Sequence, residues 1–206
     1  MSTLIKLSAR LYDPVLGRAL KPLRQAFVRA LPEDRSLRIL DLCCGTGDQL
    51  RAFERAGYGD LRGLDLDPGM LAVAKRRSGT IPFDEGDAAH TPYPDASFDI
   101  VTLSLALHDK EQSLREAILT EAYRLLKPEA YILSADFAFD ERTRFMGRFL
   151  ITAVERFAGG EHYENFKDYV RRGGMKNILP GGDVDIAETA RVLNAGIALW
   201  KIRHRR

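Results

Sequence analysis

Hydrophobic positions along this chain gather into short continuous runs, and amphipathic stretches separate the runs. Residues 38–42, Arg-Ile-Leu-Asp-Leu, are one such run and predict a buried parallel strand. Runs at 61–66, 98–104 and 131–134 predict further strands, and 81–85 predicts a weaker one because it contains Pro82. Between them the spacing turns helical. Leu16, Leu20, Leu23, Phe27 and Leu31 mark a helix that Pro22 splits or kinks and Pro32 closes. Residues 48–53 open a second helix, and Leu114, Ile118, Ala122 and Leu125 predict one face of another. Residues 141–158 read as a helix marked by Phe145, Phe149, Val154 and Phe157 and broken at Gly159-Gly160. An amphipathic piece at 162–170 follows and runs to Gly173-Gly174. Residues 185–193 and 197–202, joined through Asn194-Ala195-Gly196, predict an antiparallel hairpin.

The chemistry concentrates where the first strand meets its helix. In Asp41-Leu42-Cys43-Cys44-Gly45-Thr46-Gly47-Asp48 the small residues let the backbone turn sharply and approach a ligand. The helix that follows points its N–H groups and positive dipole end into the turn. Such a turn makes a nucleotide-type site at the carboxyl edge of an α/β sheet. Asp65 ends the second strand 24 positions after Asp41, near the offset of about 20 residues at which a carboxylate meets ribose hydroxyls. An NAD-type fingerprint, G-x-G-x-x-G, requires a third glycine where Leu50 stands.

These segments resemble the class I S-adenosylmethionine (SAM) methyltransferases, and Asp-Leu-Cys-Cys-Gly-Thr-Gly-Asp resembles their ubiquinone/menaquinone-biosynthesis subgroup. Further likenesses are Asp67-Pro68-Gly69-Met70, Gly86-Asp87-Ala88, Ser97-Phe98-Asp99-Ile100-Val101 and the stretch from Glu121 to Pro128. Directly after that last stretch Glu129-Ala130 replaces two glycines of the family pattern, which puts the geometry of a turn in doubt. The resemblance implies a Rossmann-like α/β fold, a mostly parallel seven-stranded sheet with a terminal antiparallel hairpin and helices on both faces. It also implies that Asp41 and the Gly45–Gly47 backbone hold the methionine part of SAM, Asp65 the ribose, and Asp87 with Ala88 the adenine. Cys43, Thr46, Leu66, Met70, Leu103 and Ser104 complete the expected surroundings of the cofactor, and Tyr12, in a Tyr-Asp pair, is expected to help cover it.

Composition narrows the remaining choices. With 206 residues, 31 basic and 29 acidic side chains, the chain suits one α/β domain and gives no general argument for nucleic-acid binding. Within it, 1–35 reads as a helical cap, 36–137 as the cofactor-binding core, 138–180 as a substrate-side helical insertion and 181–206 as the hairpin with a solvated basic tail. The two cysteines are adjacent, unlike the separated ligand pairs of structural zinc sites, so no metal is expected. They read as reduced thiols of a cytoplasmic protein. No signal peptide and no membrane-spanning run is legible, so no transmembrane segment is expected, and peripheral contact with a membrane stays open.

SAM is itself the activated donor, so the protein's task is to align an acceptor, exclude water and remove a proton where one must go. His108 follows the fourth strand at the catalytic edge and is the first candidate base, with Asp136 and His162 next. Phe137, Phe139, Phe145, Phe149, Phe157, Tyr163, Phe166 and Tyr169 crowd the 138–180 region and predict a small, apolar or aromatic acceptor, quinone-type C- or O-methylation leading. The alternative is a protein that binds SAM or S-adenosylhomocysteine without turnover.

Overall fold

Strand β1 (Ile39–Leu42) is buried along its whole length because it lies mid-sheet, parallel to β2 (Leu61–Asp65) on one side and to β4 (Phe98–Ser104) on the other. In the computed structural model, which describes residues 17–179 and 184–204, this strand belongs to a seven-stranded sheet of order β3-β2-β1-β4-β5-β7-β6. β3 (Phe83–Glu85) and β5 (Leu126–Phe137) extend the parallel part, while β7 (Ile197–His204) runs antiparallel to both β5 and β6 (Val184–Val192). The strand at 98–104 has the ends that the aliphatic runs predict, and the other short strands and the hairpin agree to within two residues. β5 is longer than predicted, because it leaves helix α4 (Gln112–Leu125) directly at Leu126. Glu129, standing in place of a glycine of the family pattern, adopts a left-handed φ of 66° inside this strand.

Helix α1 (Lys21–Ala30) carries Pro22 in its first turn, so the proline divides the predicted helix. α2 (Asp48–Arg55) follows the glycine turn. α3 (Pro68–Arg77) is capped by Asp67, whose Oδ1 accepts from the Gly69 and Met70 amides at 2.7 and 3.3 Å. α5 (Phe145–Ala158) and α6 (Gly160–Arg171) meet at Gly159-Gly160, both at positive φ, and a short 3-10 turn, Gly174–Asn177, leads out of α6. Tyr12 lies outside the described residues.

Two helices depart from the apolar pattern. In α4 Ile118, Ala122 and Leu125 are buried as predicted, together with Leu119, but Leu114 is exposed and Arg115 joins the inner face instead. α5 begins at Phe145 rather than 141, after a turn in which Thr143 N–H donates to the Asp140 carbonyl at 3.1 Å. It is also inverted: its buried residues are Gly147 and Glu155, while Phe145 (80% exposed), Phe149 and Phe157 (94%) face outward. Close seating explains the inversion. A Cβ on Gly147 would stand 2.9 Å from Asn194 Cβ and 3.1 Å from the Leu193 and Asn194 carbonyls, so the helix packs on the hairpin turn through its smallest residue.

Candidate active site

The turn after β1 uses three left-handed residues, Cys43 (φ 57°), Gly45 (φ 54°) and Gly47 (φ 72°), to reverse the chain before α2. A Cβ on Gly47 would come within 2.8 Å of the Phe83 ring, so this glycine is required by packing as well as by φ. Gly45 is different, because among the described residues, beyond its sequence neighbours, nothing lies within 4 Å of where its Cβ would stand. The described structure thus leaves the backbone there open, as close approach by a ligand requires. Burial pushes the Cys43 thiol up to about 12 and the Cys44 thiol higher still, so neither is a thiolate near neutrality.

Asp41 is fully buried beneath this turn, and its Oδ1 accepts from Thr102 Oγ1 at 2.5 Å. Desolvation, opposed by that hydrogen bond and aided by the Asp65 charge, raises its carboxyl to about 7. Asp65, at the end of β2, holds the turn: Oδ2 accepts from the Gly45 amide at 2.7 Å and Oδ1 from the Asp67 amide at 2.9 Å. Next to it Leu66 is 69% exposed, an apolar side chain held out past the end of β2, and Met70 in α3 is half-buried. Asp87 is exposed and accepts from the Ala89 amide at 2.9 Å; Ala88 is buried. Leu103 is buried within β4, and Ser104 and Thr46 are half-buried. Gly45's open approach, two carboxylates at neighbouring strand ends and an exposed apolar side chain suit a nucleoside that carries a cationic amino-acid tail, so the residues present fit SAM.

Replacing Asp65 with Ala is expected to weaken SAM binding by about 1.5–3 kcal/mol, the scale of a lost charge-assisted hydrogen bond. The loss should fall at the upper end of that range, since the same carboxylate also holds the Gly45 amide. Calorimetry on the variant decides it, and an unchanged affinity removes Asp65 from the site.

The three candidate proton-transfer residues come together, though chain distance separates them. Leu105 turns left-handed (φ 55°) at the end of β4 while its amide still donates to Ala135 at 2.8 Å, and this swings His108 over the end of β5. There Asp136 is wholly buried and accepts from the amides of Leu107, His108 and Phe137 and, at 2.8 Å, pairs with His108 Nδ1. Glu155 of α5 stands on the far side: its Oε2 lies 3.6 Å from His108 Nε2 and 2.6 Å from His162 Nε2. His162 Nδ1 in turn lies 3.7 Å from Asp109 Oδ2. Burial alone would depress His108, but the Asp136 carboxylate, with Asp109 and Glu155 behind it, outweighs this and holds the imidazole above its usual range.

Aromatic rings wall this cluster. Phe137 packs on His108 with ring centroids 4.5 Å apart, and Phe166 meets Phe137, Phe139 and Tyr163 within 6.1 Å. Tyr169 is buried nearby and stacks under Arg115. The predicted aromatic lining is therefore corrected: Phe145, Phe149 and Phe157 do not contribute to it.

Arg115, invisible to the apolar pattern, locks the elements that carry the cluster. Its fully buried guanidinium donates to the Leu107 carbonyl (3.0 Å), the Asn165 carbonyl (2.7 Å) and Asp168 Oδ2 (3.0 Å). Asn165 Nδ2 donates back to the Asp109 carbonyl at 3.0 Å. These bonds fix α6 against the loop of His108.

The sheet order and the left-handed glycine turn define a Rossmann-like α/β protein with its site at the carboxyl edge. A family model described as a methyltransferase domain matches residues 39–129. The demethylmenaquinone methyltransferase of Thermus thermophilus is 35% identical over 160 residues, covering 74% of this chain and 71% of that protein. That of Lactobacillus johnsonii is 36% identical over 117 residues, covering 53% and 47%. The chain thus spans about half the length of the latter. A SAM-dependent methyltransferase from Aquifex aeolicus shares the fold, with a TM-score of 0.62, 15% identity and coverage of 94% and 95% of the two chains. This chain belongs to the class I SAM-dependent methyltransferases, in the subgroup of the ubiquinone/menaquinone-biosynthesis enzymes.

Proposed function

We propose that this protein transfers the methyl group of SAM to a small apolar or aromatic acceptor, with quinone-type ring C- or O-methylation as the leading reaction. The observation that carries the reading is the buried Asp136–His108 pair at the sheet edge, walled by Phe137, Phe139, Tyr163 and Phe166. Asp41, the Gly45 turn, Asp65, Leu66 and Asp87 with Ala88 would hold the cofactor, whose sulfonium supplies an activated methyl group. Asp136 fixes the imidazole by pairing with Nδ1, so Nε2 of the neutral ring accepts the proton that a phenolic or enolic acceptor gives up as it is methylated. The aromatic wall excludes water and favours a flat, apolar acceptor over a charged one.

A panel of quinol-like phenols, fatty acceptors and polar acceptors, assayed with labelled SAM, tests this. Turnover is expected on the phenols. Turnover only on polar or macromolecular acceptors overturns the apolar reading, and SAM binding without any turnover favours a regulatory role.

Such acceptors partition into membranes, and α5 suits a membrane surface. It exposes Phe145, Met146, Phe149, Leu150, Val154 and Phe157 together with Arg148 and Arg156, while its one acidic residue, Glu155, points inward. Among the described residues no helix is long and apolar enough to cross a membrane. The protein is expected to sediment with vesicles containing anionic phospholipid, and Phe149→Ser with Phe157→Ser to weaken this at least about tenfold, given ~1.5–3 kcal/mol per apolar side chain buried. Equal sedimentation of the variant rejects α5 as the contact.

A further inference from the structure

We propose that His108, Glu155 and His162 form a binding site for one divalent first-row transition-metal ion, such as Zn²⁺. It departs from the expectation of no metal, which rested on the spacing of the two cysteines alone. The three ligand atoms lie within 4.8 Å of one another, contributed by the β4–α4 loop, α5 and α6. Two imidazoles and one carboxylate suit zinc, iron, cobalt or nickel, whereas magnesium and calcium favour all-oxygen sets.

Each ring presents its Nε2 to the same carboxylate oxygen while its Nδ1 faces another carboxylate. For His108 that partner is Asp136 at 2.8 Å, and for His162 it is Asp109, farther off at 3.7 Å. A carboxylate on Nδ1 fixes the tautomer that leaves the Nε2 lone pair free and raises its basicity, the arrangement found behind metal-bound histidines. Glu155 strengthens the argument. It is only 4% exposed, its described partners are the two histidines, and a buried carboxylate requires a cation or shared protons.

Bonds of about 2.0–2.1 Å to a tetrahedral ion place ligand atoms roughly 3.3 Å apart. The 3.6 Å separation between His108 Nε2 and Glu155 Oε2 already approaches this. The 2.6 Å contact of His162 with Glu155 is a hydrogen bond that opens as the ion replaces its proton. His162 is the half-exposed member, so the ion enters from its side and solvent or an acceptor oxygen completes the coordination. Phe137 and Phe166 shield the other side.

The inference does not depend on the methyl-transfer reading, though the two roles exclude each other at any moment. An ion on Nε2 of His108 takes the lone pair that a base needs, so the metal-free protein is the form in which His108 accepts protons.

The test is a titration of the chelator-stripped full chain with Zn²⁺ against a chromogenic zinc chelator, together with SAM calorimetry and a thermal melt on the same samples. One equivalent is expected to bind, and Glu155→Gln and His162→Gln each to weaken it at least about tenfold without loss of folding. Co²⁺ should give a visible d–d spectrum that both substitutions abolish. Absence of stoichiometric binding, or affinities unchanged by both substitutions, overturns the site. The Co²⁺ spectrum decides it if either variant fails to fold, since thiolate charge-transfer bands would assign the ion to the cysteines instead. SAM binding without zinc binding defeats only the metal site; zinc binding without SAM binding defeats only the methyl-transfer reading.

Discussion

Arg115→Ala is expected to lower the unfolding free energy by about 2–5 kcal/mol, the scale of truncating a large, fully buried side chain together with its hydrogen bonds. Asp168 would keep Arg171 and Arg172, at 3.0 and 2.7 Å, so its charge is not stranded. The loss is elsewhere: the Leu107 and Asn165 carbonyls each lose the Arg115 donor, Leu107 keeping the Lys110 amide at 3.3 Å, and the side chain leaves a void beneath Tyr169. Arg115→Lys should not restore the loss, because a single ammonium cannot reach three acceptors that the planar guanidinium meets from fixed positions. Urea denaturation measures this directly. The variant should also lose turnover out of proportion to SAM affinity, since the bonds it removes hold α6 against the His108 loop and not the glycine turn. A change below about 1 kcal/mol would assign Arg115 to surface-like pairing and remove its positioning role.

Arg115 also marks where sequence reasoning stopped. The strands were legible because central parallel strands are buried on both faces and therefore read as unbroken aliphatic runs. The glycine turn, Asp65 and the Asp67 cap were legible because their chemistry is local, set by φ or by hydrogen bonds two or three residues away. Periodicity found most of the inner face of α4 but missed Arg115, and it misread α5, because it assigns the apolar stripe to the interior while both helices bury a charged residue whose partners come from distant segments. His108, Asp136 and His162 were nameable one by one, yet the residue that joins the two histidines, Glu155, was not. One signal was present: Glu155 is the only acid in α5 and lies seven positions before His162 across the glycine pair. Its meaning required knowing that α5 turns its phenylalanines outward.

His108→Asn is expected to reduce turnover by about 100- to 10,000-fold, the range for loss of a general base, while leaving SAM affinity unchanged. Asparagine keeps a donor near the Nδ1 position for Asp136 but has nothing in place of Nε2, so it separates positioning from proton transfer. The pH dependence gives a second, independent signature, measured on chelator-stripped protein. Burial opposes charge on His108, but Asp136, with Asp109 and Glu155, outweighs it and holds His108 above its ordinary value of 6.5, while His162 lies beyond Glu155. A histidine whose pKa is raised on folding stabilises the protein fully below its unfolded value, and that contribution is lost as pH rises through the folded value. The neutral ring is the base, so activity moves the other way and rises across the same window. Wild-type protein should therefore become more active and less stable together as pH climbs above about 6.5, and His108→Asn should flatten both trends. Asp41, raised to about 7, adds its own loss of stability between 3.8 and that value, so the variant's residual slope should be confined below neutrality. Full turnover in His108→Asn with the true acceptor would exclude the base role and leave alignment alone as the protein's contribution.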